Sequence, residues 1–224
     1  MIILAQNIQD FDITTNYFDF NSIIDTHPEL QFGVCLDMKE ADQSDESIMC
    51  RINDQLTGFK NFLEKMKETK IYYMYILLDI QNFITLSRIL NIIGCLELTY
   101  RTILASSHIS IIQYLAEKGS YETAFQIDLT MYLSDLNSLN TVFMHKPNYI
   151  MLDNRIFILN QTGCHDLGLS NQLGIIELES PTSMTPEQLK LMVSNYSYLK
   201  IITTKNLVNT VNVILGSNPD QNML

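Results

Sequence analysis

The 224-residue chain carries 14 Lys and Arg against 25 Asp and Glu, giving a formal charge of −11 and a pI near 4.6. That balance excludes a nucleic-acid footprint, which needs clustered cations on phosphate, disfavours anionic membranes, and suits neutral or basic protein partners. With 46% hydrophobic residues the chain can fill a substantial core, yet no apolar run approaches the roughly 18 residues of a membrane span.

Residues 1–7 lack the cationic start of a secretory leader, so a cytoplasmic protein is expected. The run MIILA at 1–5 fits a strand or a first helical turn equally, and 6–16 reads as a loop. Residues 17–24 (YFDFNSII) alternate and then turn apolar, which predicts a strand. Asp25-Thr26-His27-Pro28 is turn chemistry, and 30–38 (LQFGVCLDM) is the next strand, so the two are expected to form an antiparallel hairpin. Residues 39–47 are a solvated acidic loop. Ile48, Ile52, Leu56, Phe59, Phe62, Leu63 and Met66 then fall on one face of an amphipathic helix over 48–67. A buried strand at 72–80 carries Asp79 near its end, and a helix over 83–93 is stopped by Gly94.

Three short apolar runs follow, at 95–99, 124–129 and 149–152, separated by helical segments at 108–116 and 134–142. This alternation is the pattern of a parallel sheet with covering helices. Glu97, Asp128 and Asp153 stand in or next to these runs, near the strand ends where α/β folds hold ligands. Residues 154–174 form an irregular loop, 174–179 a strand, and Thr185-Pro186 opens a helix before a strand at 199–203, a helix at 207–215 and a polar tail. The strands 17–24, 30–38, 72–80, 95–99, 124–129, 149–153, 174–179 and 199–203 predict an α/β fold, a TIM-type (β/α)8 barrel with an antiparallel N-terminal hairpin, in one domain over 1–224.

Local motifs add little chemistry. Cys35, Cys50, Cys95 and Cys164 show no CxxC spacing and are expected to be buried, reduced thiols. Cys164-His165 has no third ligand within reach. His27, His108 and His145 pair with no Ser or Cys at a recognised spacing, and no glycine-rich phosphate loop exists.

The scaffold segments resemble the EAL domains, bacterial phosphodiesterases acting on cyclic di-GMP. Gly33 and Val34 precede Cys35-Leu36-Asp37 where that family has its signature tripeptide, and Leu78-Asp79-Ile80-Gln81 takes the place of its N-L-S segment. Leu96-Glu97-Leu98-Thr99-Tyr100 is similar to its L-E-I-T-E strand, 126–139 stands in its paired-acid segment, and 149–157 follows its L-K-I-D-R-S-F pattern. Residues 175–180 with PEQL at 186–189 resemble its E-G-V-E-T-x-E-Q-L segment. The resemblance implies an EAL-type barrel, and a degenerate one. The family's metal-binding glutamate falls on Cys35, its first paired aspartate on Ile127 and its lysine on Met151. Asp79, Glu97, Asp128 and Glu177 remain as a relic ligand set, with Glu179 competing for the place of Glu177, and they imply no cofactor beyond one weakly held Mg or Mn ion. The expectation is therefore a catalytically inactive EAL-like regulator that binds another protein, such as the flagellar master transcription regulator. The alternative is a non-hydrolysing cyclic di-GMP receptor or a very weak phosphodiesterase, which the acids expected at the barrel mouth disfavour.

Overall fold

MIILA resolves as a strand: Ile2–Ala5 (β1) lies between two parallel neighbours. The structure is a computed structural model that describes residues 2–5, 25, 30–44, 46–52, 55–69, 71–128, 130–131, 147–153, 173–178 and 199–204. The expectations for 17–24, 134–142, 159–172, 185–195 and 207–215 lie outside those residues. The other elements are Gln31–Lys39 (β2), Met49–Ile52 (β3), Gln55–Gly58 (β4), Phe59–Lys67 (α1), Tyr73–Asp79 (β5), Phe83–Cys95 (α2) and Thr102–Ser106 (β6). Ile109–Lys118 (α3), Glu122–Ile127 (β7), Tyr149–Asp153 (β8), Leu173–Leu178 (β9) and Leu199–Thr204 (β10) complete them.

The sheet runs β1-β10-β9-β8-β7-β6-β5-β2 and closes through β1–β2, with every one of these pairings parallel. Eight parallel strands in a ring are the TIM-type barrel that the strand–helix repetition predicts. Its first strand in chain order among the described residues is β1. The antiparallel pairings among the described residues are β2–β3 and β3–β4, both downstream of the start of β2, whereas the expected N-terminal hairpin rests on 17–24, outside those residues.

Alternation sorts each strand into two faces. On β2, Phe32, Val34, Leu36 and Met38 are buried outward, where they join Met74, Ile76 and Leu78 of β5 and the apolar faces of α1, α2 and α3. Phe59, Phe62, Leu63 and Met66 give α1 its buried stripe, and each such side chain contributes about 1.5–3 kcal/mol on burial. The inward face carries Tyr75, Ile103, Ala105, Ala124, Tyr149 and Met151, with Cys35, Tyr73 and Leu77 packed against them. The barrel centre is thus filled.

Two expected elements are corrected. The helix over 48–67 exists only from Phe59. Upstream, Ile48, Cys50 and Ile52 are buried in alternation, a period of two that the helical reading missed by passing over Cys50. Leu56, counted on the helix face, is 48% exposed on β4. The strand at 95–99 is likewise absent, because α2 continues past Gly94 to Cys95 and ends in a tight αL turn. There Glu97 donates to the carbonyl of Gly94 at 3.0 Å and Leu98 to that of Ile93 at 3.1 Å, the double bond of a Schellman motif. Glu97 holds φ 60, a left-handed conformation that suits glycine. Replacing Glu97 with glycine is expected to stabilise the fold by about 1 kcal/mol, a rise of about 2–4 °C in melting temperature by calorimetry.

The fourth strand is instead β6, buried at every position, and its hydroxyls are satisfied internally: Thr102 donates to Leu98 O and Ser106 to Leu78 O. Just before it, the Arg101 guanidinium donates to the carbonyls of Thr69, Ile71 and Tyr72 and so fixes the chain leading into β5. Arg101→Ala is expected to cost about 2–3 kcal/mol in urea titration, because it leaves partly buried carbonyls unpaired. Of the cysteines described, Cys50 is a buried thiol whose pKa burial pushes up to about 12, Cys35 is half-buried, and Cys95, against expectation, is exposed.

Candidate functional site at the barrel mouth

The strands' C-terminal ends open on the side where β2 outlasts its neighbour. Its pairing with β1 stops at Val34, whereas its pairing with β5 continues to Lys39 against Asp79. The β3–β4 hairpin docks at the edge thus freed, with Asp37 opposite Arg51. A bidentate pair anchors it: Arg51 donates from Nε and Nη2 to the two oxygens of Asp42, each at 2.6 Å. That guanidinium holds the Asp42 carboxyl below its usual range.

Between hairpin and barrel, the inward positions of β2 are Cys35, Asp37 and Lys39. Asp37 Oδ1 is buried with no hydrogen-bond partner among the described residues, and Oδ2 lies 3.6 Å from the Lys39 ammonium. Burial pushes the Asp37 carboxyl above the usual range; Lys39 opposes this, and nearby Asp79 reinforces it. On the adjacent strand, Asp79 Oδ1 at the end of β5 lies 3.6 Å from Nε2 of His108. His108 stands on fixed backbone. Its N–H donates to Ser106 Oγ at 3.1 Å, and its carbonyl accepts from Ile111 and Ile112 as the first turn of α3. Ser106, His108 and Asp79 together suggest a nucleophilic triad. The hydroxyl of Ser106 rules that out, since it is fully buried and donates to Leu78 O at 2.9 Å.

Beneath the mouth the route is shut by Tyr75, whose hydroxyl donates to the Met151 sulfur, and by Tyr149. At the far end Tyr149 donates to Glu122 at 3.1 Å, and burial together with that carboxylate raises the pKa of the phenol. Among the described residues, solvent reaches the inward face on the Asp37–His108 side, where Lys39 and Asp79 are exposed.

Of the residues singled out in the sequence, Asp79 is in this cluster. Asp128 follows β7, is exposed, and accepts from the N–H of Met131 at 2.7 Å, which makes it a cap on the helical residues 130–131. Glu177 stands on β9 in register with Asp153 of β8 and Thr203 of β10. Glu97 is corrected: it lies exposed beyond the C-terminus of α2, at the opposite end of the barrel from the mouth. Cys35 faces inward below Asp37, Met151 packs in the barrel interior, and Ile127 is buried. Asp37, Lys39 and His108 were passed over. The alternation along 33–39 held the signal, because polar residues at Asp37 and Lys39 between buried neighbours mark an inward face reaching solvent. Among the described residues no group of three or more His, Cys, Asp or Glu is placed to hold a metal ion, and no helix is long and apolar enough to cross a membrane.

No protein-family model matches the chain, and no curated protein matches it by sequence. Solved structures do. A glycerophosphodiester phosphodiesterase from Parabacteroides distasonis superposes with a TM-score of 0.68 at 9% identity, over 96% of each chain. A putative glycerophosphoryl diester phosphodiesterase from Agrobacterium tumefaciens gives 0.68 at 11% identity, over 96% of this chain and 97% of its own. A glycerophosphodiester phosphodiesterase from Thermotoga maritima gives 0.62 at 12% identity, over 96% of each. Identities this low carry the fold alone. They nonetheless overturn the resemblance to EAL domains, since the barrels this chain resembles in space are glycerophosphodiester phosphodiesterases. The readings built on that resemblance fall with it: the inactive regulator of a transcription factor, and the receptor or weak phosphodiesterase for cyclic di-GMP. The expectation of inactivity rests on Cys35, Ile127 and Met151 as lost EAL positions, and it falls with that resemblance.

Proposed function

We propose that the barrel mouth hydrolyses small phosphodiesters of the glycerophosphodiester kind. The observation that carries this reading is the Asp79–His108 pair set beside Lys39 and the buried oxygen of Asp37 on one rim. A phosphodiester is anionic, and Lys39 supplies a cation where its oxygens would lie. Neutral His108 accepts a proton from an attacking water as its oxygen bonds to phosphorus. The ester P–O bond breaks, and the imidazolium returns the proton to the departing alcohol oxygen, leaving a phosphomonoester and an alcohol. Asp79 faces Nε2 of that ring at 3.6 Å, which leaves Nδ1 for the water.

The structural neighbours' fold raises the question of a divalent cation. An unpartnered carboxylate oxygen at Asp37 with Asp79 nearby suits one hard ion better than two. Such an ion, when bound, neutralises phosphate charge and lowers the pKa of its water.

The test is hydrolysis of glycerophosphocholine by the purified full chain in Mg²⁺, Ca²⁺, Mn²⁺ or EDTA, with glycerol phosphate and free choline measured. Release in at least one cation supports the reading; none in any condition sinks it. The names of the structural neighbours support the choice of substrate class.

A further inference from the structure

Directly after β2 the chain makes a short 3-10 turn, Glu40–Asp42. Its first residue reaches across to β5, where Glu40 Oε2 accepts from the N–H groups of Gln81 at 2.9 Å and Asn82 at 3.2 Å. Those amides lie two and three residues beyond Asp79, in the short link into α2. The turn itself is firmly held. Asp42 is clamped by Arg51, and Gln43 bonds Lys39 O at 3.0 Å, Met49 O at 2.8 Å and Met49 N at 3.0 Å. Arg88 of α2 donates to Ser44 O at 2.9 Å. One side of this strap is bolted to the hairpin, the other to the link that follows Asp79.

Asp79 needs such support. Its side chain is 62% exposed, so its direction follows from how the backbone leaves β5 more than from packing around it. We infer that Glu40 is a positioning residue: by holding the amides of Gln81 and Asn82 it aims Asp79 at His108, an inference that rests on reading that pair as the proton-handling group. A second role for Glu40 would be simple charge complementarity with the N-terminus of α2. The two roles separate at Glu40→Gln, which keeps an acceptor oxygen for the amides and discards the charge.

The experiment compares Glu40→Ala and Glu40→Gln with the parent protein in two readouts: steady-state hydrolysis of glycerophosphocholine and the ¹⁵N NMR shifts of the His108 ring. In Glu40→Ala, kcat is expected to fall about tenfold with KM within about twofold, as befits a displaced catalytic group. The His108 ring shifts move, and Glu40→Gln restores both. A Glu40→Gln variant as impaired as Glu40→Ala overturns the inference in favour of the helix-charge role. So does a Glu40→Ala variant with parental kcat and ring shifts. If the parent hydrolyses nothing, the functional reading falls by itself and the ring shifts still decide: moved in Glu40→Ala and restored in Glu40→Gln upholds the positioning role, and unmoved refutes it.

Discussion

Replacing His108 with alanine is expected to lower kcat/KM for glycerophosphocholine by a factor of about 10² to 10⁴, the range typical of a lost general acid–base group. Most of the loss belongs in kcat, because on the proposed reading the imidazole handles a proton and Lys39 remains to meet the phosphate. The backbone of residue 108 keeps its bonds in the variant: its N–H still reaches Ser106 Oγ, and its carbonyl still starts α3. Circular dichroism and melting temperature should therefore stay close to the parent, which separates a chemical from a structural effect. Ser106→Ala supplies the contrast. If Ser106 were a nucleophile, its removal would cost as much as that of His108. Its hydroxyl is instead spent on Leu78 O, so this variant is expected to lose stability by about 1 kcal/mol and to keep about a tenth or more of the activity. Initial rates over a range of substrate concentration decide the matter. Equal losses at 106 and 108 would restore the triad reading.

The barrel was legible because its parallel strands read as apolar runs bounded by turns, the pattern expected of strands covered on both faces. The runs at 72–80, 124–129, 149–153, 174–179 and 199–203 each lie within about two residues of the observed strands. Misreadings came where two periods overlap. Ile48, Ile52 and Leu56 satisfy a helical spacing, and only burial of Cys50 reveals the alternation of β3. Leu96 and Leu98 alternate around Glu97 like a strand, while the chain is closing a helix with φ 60 at a residue that does not favour it. The mouth was harder to read for a different reason. Asp37 and Lys39 from β2, Asp79 from β5 and His108 from the start of α3 are far apart in the chain, and only the parallel pairing of β2 with β5 and of β5 with β6 makes them neighbours. A family pattern laid over the same residues drew attention to Cys35 and away from Asp37, two positions on. Residue types alone could not correct that, because a carboxylate that faces a barrel interior and one that faces solvent have the same letter.

Asp37 is where fold and activity pull in opposite directions, and Asp37→Asn is expected to show both at once. Burial raises this carboxyl above its ordinary value of 3.8, so the folded state disfavours the charged form. A group shifted this way adds most to stability below the unfolded pKa, and that contribution is lost as pH rises through the higher folded value. At pH 7 the native protein therefore carries the full penalty of a desolvated charge, and asparagine removes it. Solvent reaches 34% of the side chain, and Lys39 stands 3.6 Å away, so the relief is modest, at most about 1 kcal/mol. In a chain of this length that is a rise of about 2–4 °C in melting temperature. The gain should shrink as pH falls through the raised pKa of the parent and vanish once that carboxyl is protonated in both folded and unfolded states. The same change is expected to cut kcat/KM by at least about a hundredfold, since the proposed reading loses an anionic group beside Lys39 and Asp79. Calorimetry between pH 4 and 7 with activity on the same samples tests the pair of effects. A variant destabilised at pH 7 would mean that the charge of Asp37 is held by partners, and a stabilised variant with full activity would remove Asp37 from the site. Only a more stable and nearly inactive protein fits a carboxylate kept buried at the mouth for what it binds.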